Sequence, residues 1–322
     1  MHMSVTVETG ARLHFGFINL APSHGRVYGS LGVAVDKPGV CVRASPAADI
    51  VCNEPAIKGF VSDAVTFLEV DGARVSLDTK MPRHVGFGST TQLALAVGAA
   101  VARAHDRSFQ VQEFASAVGR GRRSGIGIAA FESGGFALDA GHERSCEDRN
   151  SWSVPPVVCQ HAVPPSWRFV TITPSIDRTV HGKDERRSMT RVLTEANSAV
   201  TNHVATTTLL EVLPGIATND VDRFGRGVAR IDRYNGRWFR NEQADAYHPA
   251  VRDAVRELTD TPAVAGVGQS SWGPTIYGIT TTDRLSAAAE AARRGLDRLE
   301  VDGEIRVLSP RNEGAAILAQ NE

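Results

Sequence analysis

Residues 83–105, RHVGFGSTTQLALAVGAAVARAH, run a glycine- and hydroxyl-rich loop straight into a stretch of alanine, leucine and valine. Gly86 and Gly88 permit backbone conformations closed to other residues, and Ser89, Thr90 and Thr91 are good N-cap residues. The first amides of the helix that follows have no internal partners, and the helix dipole places positive potential there. An anion fits that end. Two readings are open at this point: a phosphate cradle, or a capped core helix whose small residues allow close packing. A Walker-type site is excluded, because the lysine of GxxxxGK[ST] is missing.

Working outward, residues 3–9 and 11–20 alternate like strands, and 32–44 read as two more around a Lys-Pro-Gly turn. Helices fit 57–69, about 90–105 and 110–119. GRGRRSGIGIAAFESGG (119–135) combines a glycine-rich turn with a short helix, and 136–141 returns as a strand. Residues 142–168 match no regular element and hold four prolines, 155, 156, 164 and 165, which places a domain boundary there. The expected domains are 1–165 and 166–322. Beyond the boundary, 168–175 reads as a strand and about 184–213, 219–239 and 247–259 as helices. AVAGVGQSSWGPTIYGIT (263–280) reads as strand, glycine loop, strand; a helix at 283–299 and strands near 305–308 and 315–318 follow. Strands mixed with helices, many of them hairpin-like, indicate an α+β fold.

Of the 322 residues 42% are hydrophobic, enough for a large core, and the net charge of −1 points to neither nucleic acid nor an anionic membrane surface. The longest uninterrupted apolar run, 93–102, is too short to span a bilayer, and the opening MHMSVTVETG has no apolar signal region. Cys41, Cys52, Cys146 and Cys159 form no CxxC pair and are expected to be reduced and buried, as in a cytoplasmic protein. No HExxH spacing occurs. Only four of the 35 basic residues are lysine; arginine forks suit phosphate and carboxylate, although a GC-rich genome accounts for the same bias.

Two further stretches, RRSGIGIAAFESGG (122–135) and GVGQSSWGPTIYG (266–278), are also rich in glycine and serine. HVGFGSTTQLALA resembles the second motif of the galactokinase, homoserine kinase, mevalonate kinase and phosphomevalonate kinase (GHMP) superfamily, and GVGQSSWGPTIYG its third. The resemblance implies a two-domain fold, with a ribosomal protein S5 domain 2-like N-terminal part and a ferredoxin-like C-terminal part. It also implies a second motif that wraps phosphates. In the mevalonate kinase branch, Ser-Gly-aliphatic-Asp follows the loop helix, and its Asp assists deprotonation of the substrate hydroxyl. Here the segment is Ser124-Gly125-Ile126-Gly127, and glycine cannot act as a base.

One branch of the superfamily is not a kinase, the β-ribofuranosylaminobenzene 5′-phosphate synthases, and this sequence resembles it more closely. The matching phrases are ARLHFGFINL (11–20), GRVYGSLGVAVDKP (25–38), HVGFGSTTQLALAVG (84–98), SGIGIAAFESGGFALDAGH (124–142), HGKDE (181–185) and GQSSWGPTIYG (268–278). That family joins phosphoribosyl pyrophosphate (PRPP) to an aromatic acid and releases pyrophosphate and CO₂. Rearomatisation there needs loss of CO₂, not of a proton, so a strong general base is unnecessary. The needs are charge neutralisation, placement and exclusion of water.

The resemblance implies that Gly86, Gly88, Ser89, Thr90, Thr91, Arg122, Ser124, Gly125, Gln269, Ser270 and Ser271 hold PRPP, and that Arg12, His14, Arg26 and His181 position the reactants. Tyr28, Ser30 and Lys183 are the acceptor candidates, with packing the alternative for Tyr28 and a helix cap the alternative for the 181–185 patch. Mg²⁺ is the expected cofactor, with Ser89 and Glu132 as ligands, unless Glu132 only supports a local loop. A homodimer is expected. The acceptor is either 4-aminobenzoate or 4-hydroxybenzoate, as in methanopterin biosynthesis, or a pyrazole dicarboxylate, as in the similar C-nucleoside synthases of the formycin and pyrazofurin antibiotics; the arginine bias leans to the second. An ATP-dependent kinase using another base, and a ligand sensor without turnover, are the rival readings.

Overall fold

The computed structural model describes residues 3–144, 152–176, 183–243 and 251–321. Its first two strands, β1 (Met3–Asn19) and β2 (Arg26–Pro46), absorb the four short strands expected there. β1 bends at two bulges, between Thr9 and Ala11 and between His14 and Gly16, and does not break. A Cβ at Gly10 would collide with the Val35 carbonyl, so glycine is what lets β2 stay paired through the bulge. β2 runs through the Lys-Pro-Gly segment expected as a turn.

β3 (Val51–Cys52), α1 (Lys58–Leu68), β4 (Ala73–Thr79), α2 (Ser89–Ala104), α3 (Val111–Ala117) and α4 (Ile126–Glu132) follow. Next come β5 (Phe136–Asp139), β6 (His142–Glu143), β7 (Val157–His161) and β8 (Trp167–Pro174). β4 and β7 were not anticipated; β7 lies inside the proline-rich stretch read as irregular. The long helix expected over 184–213 is segmented. It comprises α5 (Lys183–Glu195), α6 (Ser198–Thr207) capped by the Asn197 side chain, a π turn over Thr208–Val212 and α7 (Leu213–Ala217). α8 (Val221–Gln243), α9 (Arg252–Thr259), β9 (Gly266–Gln269), β10 (Ile276–Thr281), α10 (Leu285–Asp297), β11 (Gly303–Leu308) and β12 (Ala316–Asn321) complete the order.

Among the described residues the strands form two sheets. The eight-stranded sheet has the order β12-β1-β2-β4-β3, with β5 and β6 on a further stretch of β2 and β7 on β5; the four-stranded sheet is β11-β8-β10-β9. The chain passes from the first sheet to the second between β7 and β8, and β12 then crosses back to pair with β1. α2 is an alanine-rich helix buried on nearly every side. Gly98 gives its neighbour room: a Cβ there would come within 2.8 Å of Phe114 Cζ.

One core joins the two sheets. Phe15 of β1 packs on Phe169, Phe224 and Tyr277 at ring-centroid distances of 6.4, 6.0 and 5.1 Å. All four side chains are buried, and each such burial is worth about 1.5–3 kcal/mol. Cys41, Cys52 and Cys159 are free thiols but only half-buried, which corrects the expectation of burial; Cys146 lies outside the described residues. No helix among those described is long and apolar enough to cross a membrane.

Candidate active site

The loop before α2 is shaped by its glycines. Gly86 has φ 110° and Gly88 φ 79°, both in the left-handed region. Gly88 is itself the N-cap, and no side chain caps the helix. This corrects the expected hydroxyl cap: the Gly88 carbonyl takes the amides of Thr91 and Gln92, at 3.1 and 3.2 Å. The hydroxyls of Ser89, Thr90 and Thr91 are therefore not used as caps. Gln92, missed in the sequence, is fully buried; it accepts from Thr9 Oγ1 at 2.7 Å and donates to the Gly127 carbonyl at 2.7 Å, tying α2 to α4. An amide inside an otherwise apolar helical run was the available signal.

Arg12 on β1 lies across this loop. Its guanidinium donates to the Gly86 carbonyl, its backbone amide donates to Phe87 O at 3.1 Å, and a Cβ at Gly88 would come 3.2 Å from its side chain. Burial lowers its pKa to about 10, so it stays cationic at neutral pH. His14 is 3% exposed and its Nε2 has no hydrogen-bond partner. Burial, with help from the Arg12 charge, lowers its pKa to about 3 and keeps the ring neutral.

The third glycine motif closes on the same loop. Ser270 Oγ accepts the His14 amide at 3.1 Å and donates to Gly86 O at 2.7 Å. Thr275 N donates to Val85 O at 3.3 Å, and a Cβ at Gly273 would collide with that same carbonyl. Gln269 Nε2 donates to Gly273 O at 2.9 Å, and its backbone N–H donates to Asp232 Oδ1 at 3.0 Å. Ser271, at φ 59°, turns the loop. Ser270 and Gln269 thus clasp the loop; their hydroxyl and amide groups are engaged within the protein.

A second polar cluster sits where β2, β5 and the start of α4 meet. Asp139, only 1% exposed, accepts from Ser30 Oγ at 2.5 Å, Gly125 N at 2.9 Å and Gly141 N at 2.9 Å. Ser30 Oγ lies 2.6 Å from Ser124 Oγ. Burial pushes the Asp139 carboxyl up, against the opposing pull of these donors. Asp139 was read only as part of a strand. Two of its partners, Ser30 on β2 and Gly125 before α4, come from distant stretches of the chain, so no local spacing announces it.

Other candidates lie elsewhere. Arg26 braces the β5–β6 turn through the Ala140 and Gly141 carbonyls, both at 2.8 Å, with Glu143 at 3.5 Å. Tyr28 packs against Phe17 and His142. The Arg122 guanidinium stands 4.9 Å over the Trp152 ring. Glu132, at the far end of α4 from Ser124, accepts from Gln112 Nε2 at 3.4 Å. Lys183 opens α5, and His181 lies outside the described residues. A cavity of about 460 Å³ opens beside Ser89 and Thr90, walled by apolar side chains including Phe60, Met81 and Leu93, with Lys80 and Arg83 among its lining. Gly127 faces the first turn of α2: a Cβ there would lie 3.3 Å from Thr91 Cγ2.

The sequence matches the GHMP kinases N terminal domain over residues 55–135 and the GHMP kinases C terminal family over 212–298. The beta-ribofuranosylphenol 5′-phosphate synthase of Methanothermobacter thermautotrophicus is 30% identical, covering 99% of this chain and 100% of that protein. Its namesake from Methanocaldococcus jannaschii is 29% identical over 97% and 99% of the two chains. Among solved structures, homoserine kinase from Cytophaga hutchinsonii superposes with a TM-score of 0.68 at 21% identity, covering 98% of this chain and 97% of that one. The last likeness establishes the α+β GHMP-kinase fold and nothing about the reaction.

Proposed function

This chain belongs to the beta-ribofuranosylphenol 5′-phosphate synthase family, and on that premise we propose that it joins C1 of ribose 5-phosphate to an aromatic carboxylic acid, using PRPP and releasing pyrophosphate and CO₂. One observation carries the reading against the kinase alternative. Gly127, which stands where the kinases that the motif resembles carry their Asp, packs on Thr91 in the first turn of α2, so no side chain from that position can serve as a base.

The residues divide the work as follows. The amides opening α2, and Arg12 across the loop, face the diphosphate and offset the charge that grows on it as it leaves. Neutral His14 offers Nε2 as a hydrogen-bonding group without adding charge. The clasp of Ser270 and Thr275 fixes the loop before substrate arrives. Mg²⁺ fits as the diphosphate's counterion. Among the described residues no three His, Cys, Asp or Glu side chains converge as a metal site, and Mg²⁺ characteristically keeps few protein ligands beside phosphate oxygens and waters. Ser89 Oγ would hold it at the start of α2, where it would supply further charge neutralisation.

For the acceptor, the product in the relatives' name, a ribofuranosylphenol phosphate, supports a 4-hydroxybenzoate-type acid, with 4-aminobenzoate its close analogue. The arginine-rich composition is the observation behind the pyrazole dicarboxylate. The kinase reading has one observation in its favour, the apolar cavity beside Ser89 and Thr90, which would suit a nucleotide base. Thermal denaturation separates the two: PRPP with Mg²⁺ is expected to raise Tm and ATP with Mg²⁺ to leave it unchanged. Protection by ATP alone would reverse the assignment.

A further inference from the structure

Position 127 offers no carboxylate, but Asp139 lies beside Gly125, where a Cβ would come 3.5 Å from its Oδ2, and it is reached through two hydroxyls. Ser30 Oγ is within hydrogen-bond distance of both Asp139, at 2.5 Å, and Ser124 Oγ, at 2.6 Å. A hydroxyl has one proton. Asp139 takes three donors and has none to give, so the Ser30 proton lies toward Asp139 and the Ser124 proton toward Ser30. The chain therefore has a direction, from Ser124 inward. Ser30 and Asp139 are sealed, at 0% and 1% exposure, whereas Ser124 is half-buried and is the outer end.

The same face of the sheet carries the phosphate-type loop. A Cβ at Gly32 would touch Ile126 of α4, so the Ser30, Gly32, Ala34 side of β2 faces that helix. Across the ladder, Phe17 pairs with Ser30, His14 with Gly32 and Arg12 with Ala34, and directly opposed residues share a face. The His14 and Phe17 rings meet at 5.0 Å, as that arrangement requires. Arg12 and Ser30 are thus separated by four residues of β2, about 13 Å at roughly 3.3 Å per residue.

We propose that Ser124, Ser30 and Asp139 form a proton relay that takes the acidic proton of the aromatic acceptor during carbon–carbon bond formation and returns it during decarboxylation. The inference rests on the transfer reading above. With a phenolic acid, the ring carbon bearing the carboxylate bonds to ribose C1 while the C1–O bond breaks and its electron pair leaves with pyrophosphate. The phenol proton passes to Ser124 as the Ser124 proton moves to Ser30 and that of Ser30 to Asp139. A dienone that still carries its carboxylate, and a protonated Asp139, result. The bond to CO₂ then breaks, its pair restores the aromatic ring, and the relay runs backwards to give the oxygen its proton. No net proton, oxidant or reductant is consumed. Burial, which raises the Asp139 pKa, suits a carboxylate that must be protonated for part of the cycle. Ser124 is the member that touches substrate; Ser30 and Asp139 act through it. A carboxylate serving only to staple Gly125 and Gly141 would not need the Ser30–Ser124 bond.

Two acceptors test the relay, 4-hydroxybenzoate and 3,5-difluoro-4-hydroxybenzoate, whose phenol ionises without help near neutral pH. In Ser30→Ala, and independently in Ser124→Ala, kcat with the first is expected to fall about 100-fold relative to wild type, with KM for PRPP little changed; Ser30→Ala also lowers Tm, because it takes a donor from a buried carboxylate, and the comparison of the two acids cancels that loss. With the difluoro acid the same ratio should shrink by about tenfold or more. Equal deficits with both acids, or none with either, would overturn the relay and leave the transfer reading intact. A wild-type enzyme that turns over neither acid overturns the relay as stated; if it also turns over no other aromatic acid, the transfer reading falls with it.

Discussion

His14 and Asp139 hold opposite electrostatic positions a few residues apart on one sheet face. His14 is buried neutral, with its pKa lowered to about 3; Asp139 is buried with three donors and its pKa raised. The histidine has a consequence for stability. In the unfolded chain it takes a proton near pH 6.5, whereas in the fold it resists protonation down to about pH 3. The unfolded state therefore binds more protons in that window, and stability falls as pH drops through it. Replacing His14 by Gln removes the titration. Between pH 6.5 and 4.5 the stability of wild type should decline by about 2–3 kcal/mol more than that of the variant, as measured by denaturant unfolding. Parallel declines would show that His14 is open to solvent. Of these residues, Arg12 and His14 were legible because alternation puts both on one side of a strand. Asp139 was not, since what makes it notable is a hydroxyl on β2 and an amide before α4.

At the scale of elements, the decisive contact is loop against loop. Both glycine motifs were legible in the sequence, because small residues beside hydroxyls have few other uses at the start of an apolar helix or between two strands. Their interlocking was not: Gly273 touches Val85 and Ser270 touches Gly86, across more than half the chain length. The N-cap was misread for a local reason, as Gly88 turns left-handed and caps with its backbone. β7 escaped because it is defined by its partner strand and lacks a clear alternation of its own; β4, ARVSLDT, does alternate, and that signal was overlooked. Gly273→Ala tests the clasp. The added methyl has no room against the Val85 carbonyl, so stability should fall by about 2 kcal/mol or more, and the Tm gain from PRPP with Mg²⁺ should shrink. A stable variant that keeps the full gain would show that the C-terminal loop leaves the phosphate-type loop unconstrained.

For the whole molecule, the expected boundary near residue 165 marks where the chain changes sheet, but the final strand returns to β1 and the aromatic core around Phe15 spans both sheets. The α+β class was legible from the mixture of hairpin strands and helices, whereas the return of β12 was not, because pairing between the two ends of a chain leaves no local pattern. This architecture brings a phosphate-type helix end, a clasp from the C-terminal half and a buried hydroxyl–carboxylate chain to one face. It does so without a carboxylate at position 127. The central claim is that departing CO₂ takes the place of a proton removed by a base. The most direct measurement is the ratio of CO₂ to pyrophosphate released from PRPP and carboxyl-labelled aromatic acid with Mg²⁺. A ratio of one to one, each strictly dependent on the other substrate, is the expected result. Pyrophosphate released while the carboxyl label stays on the product would contradict it.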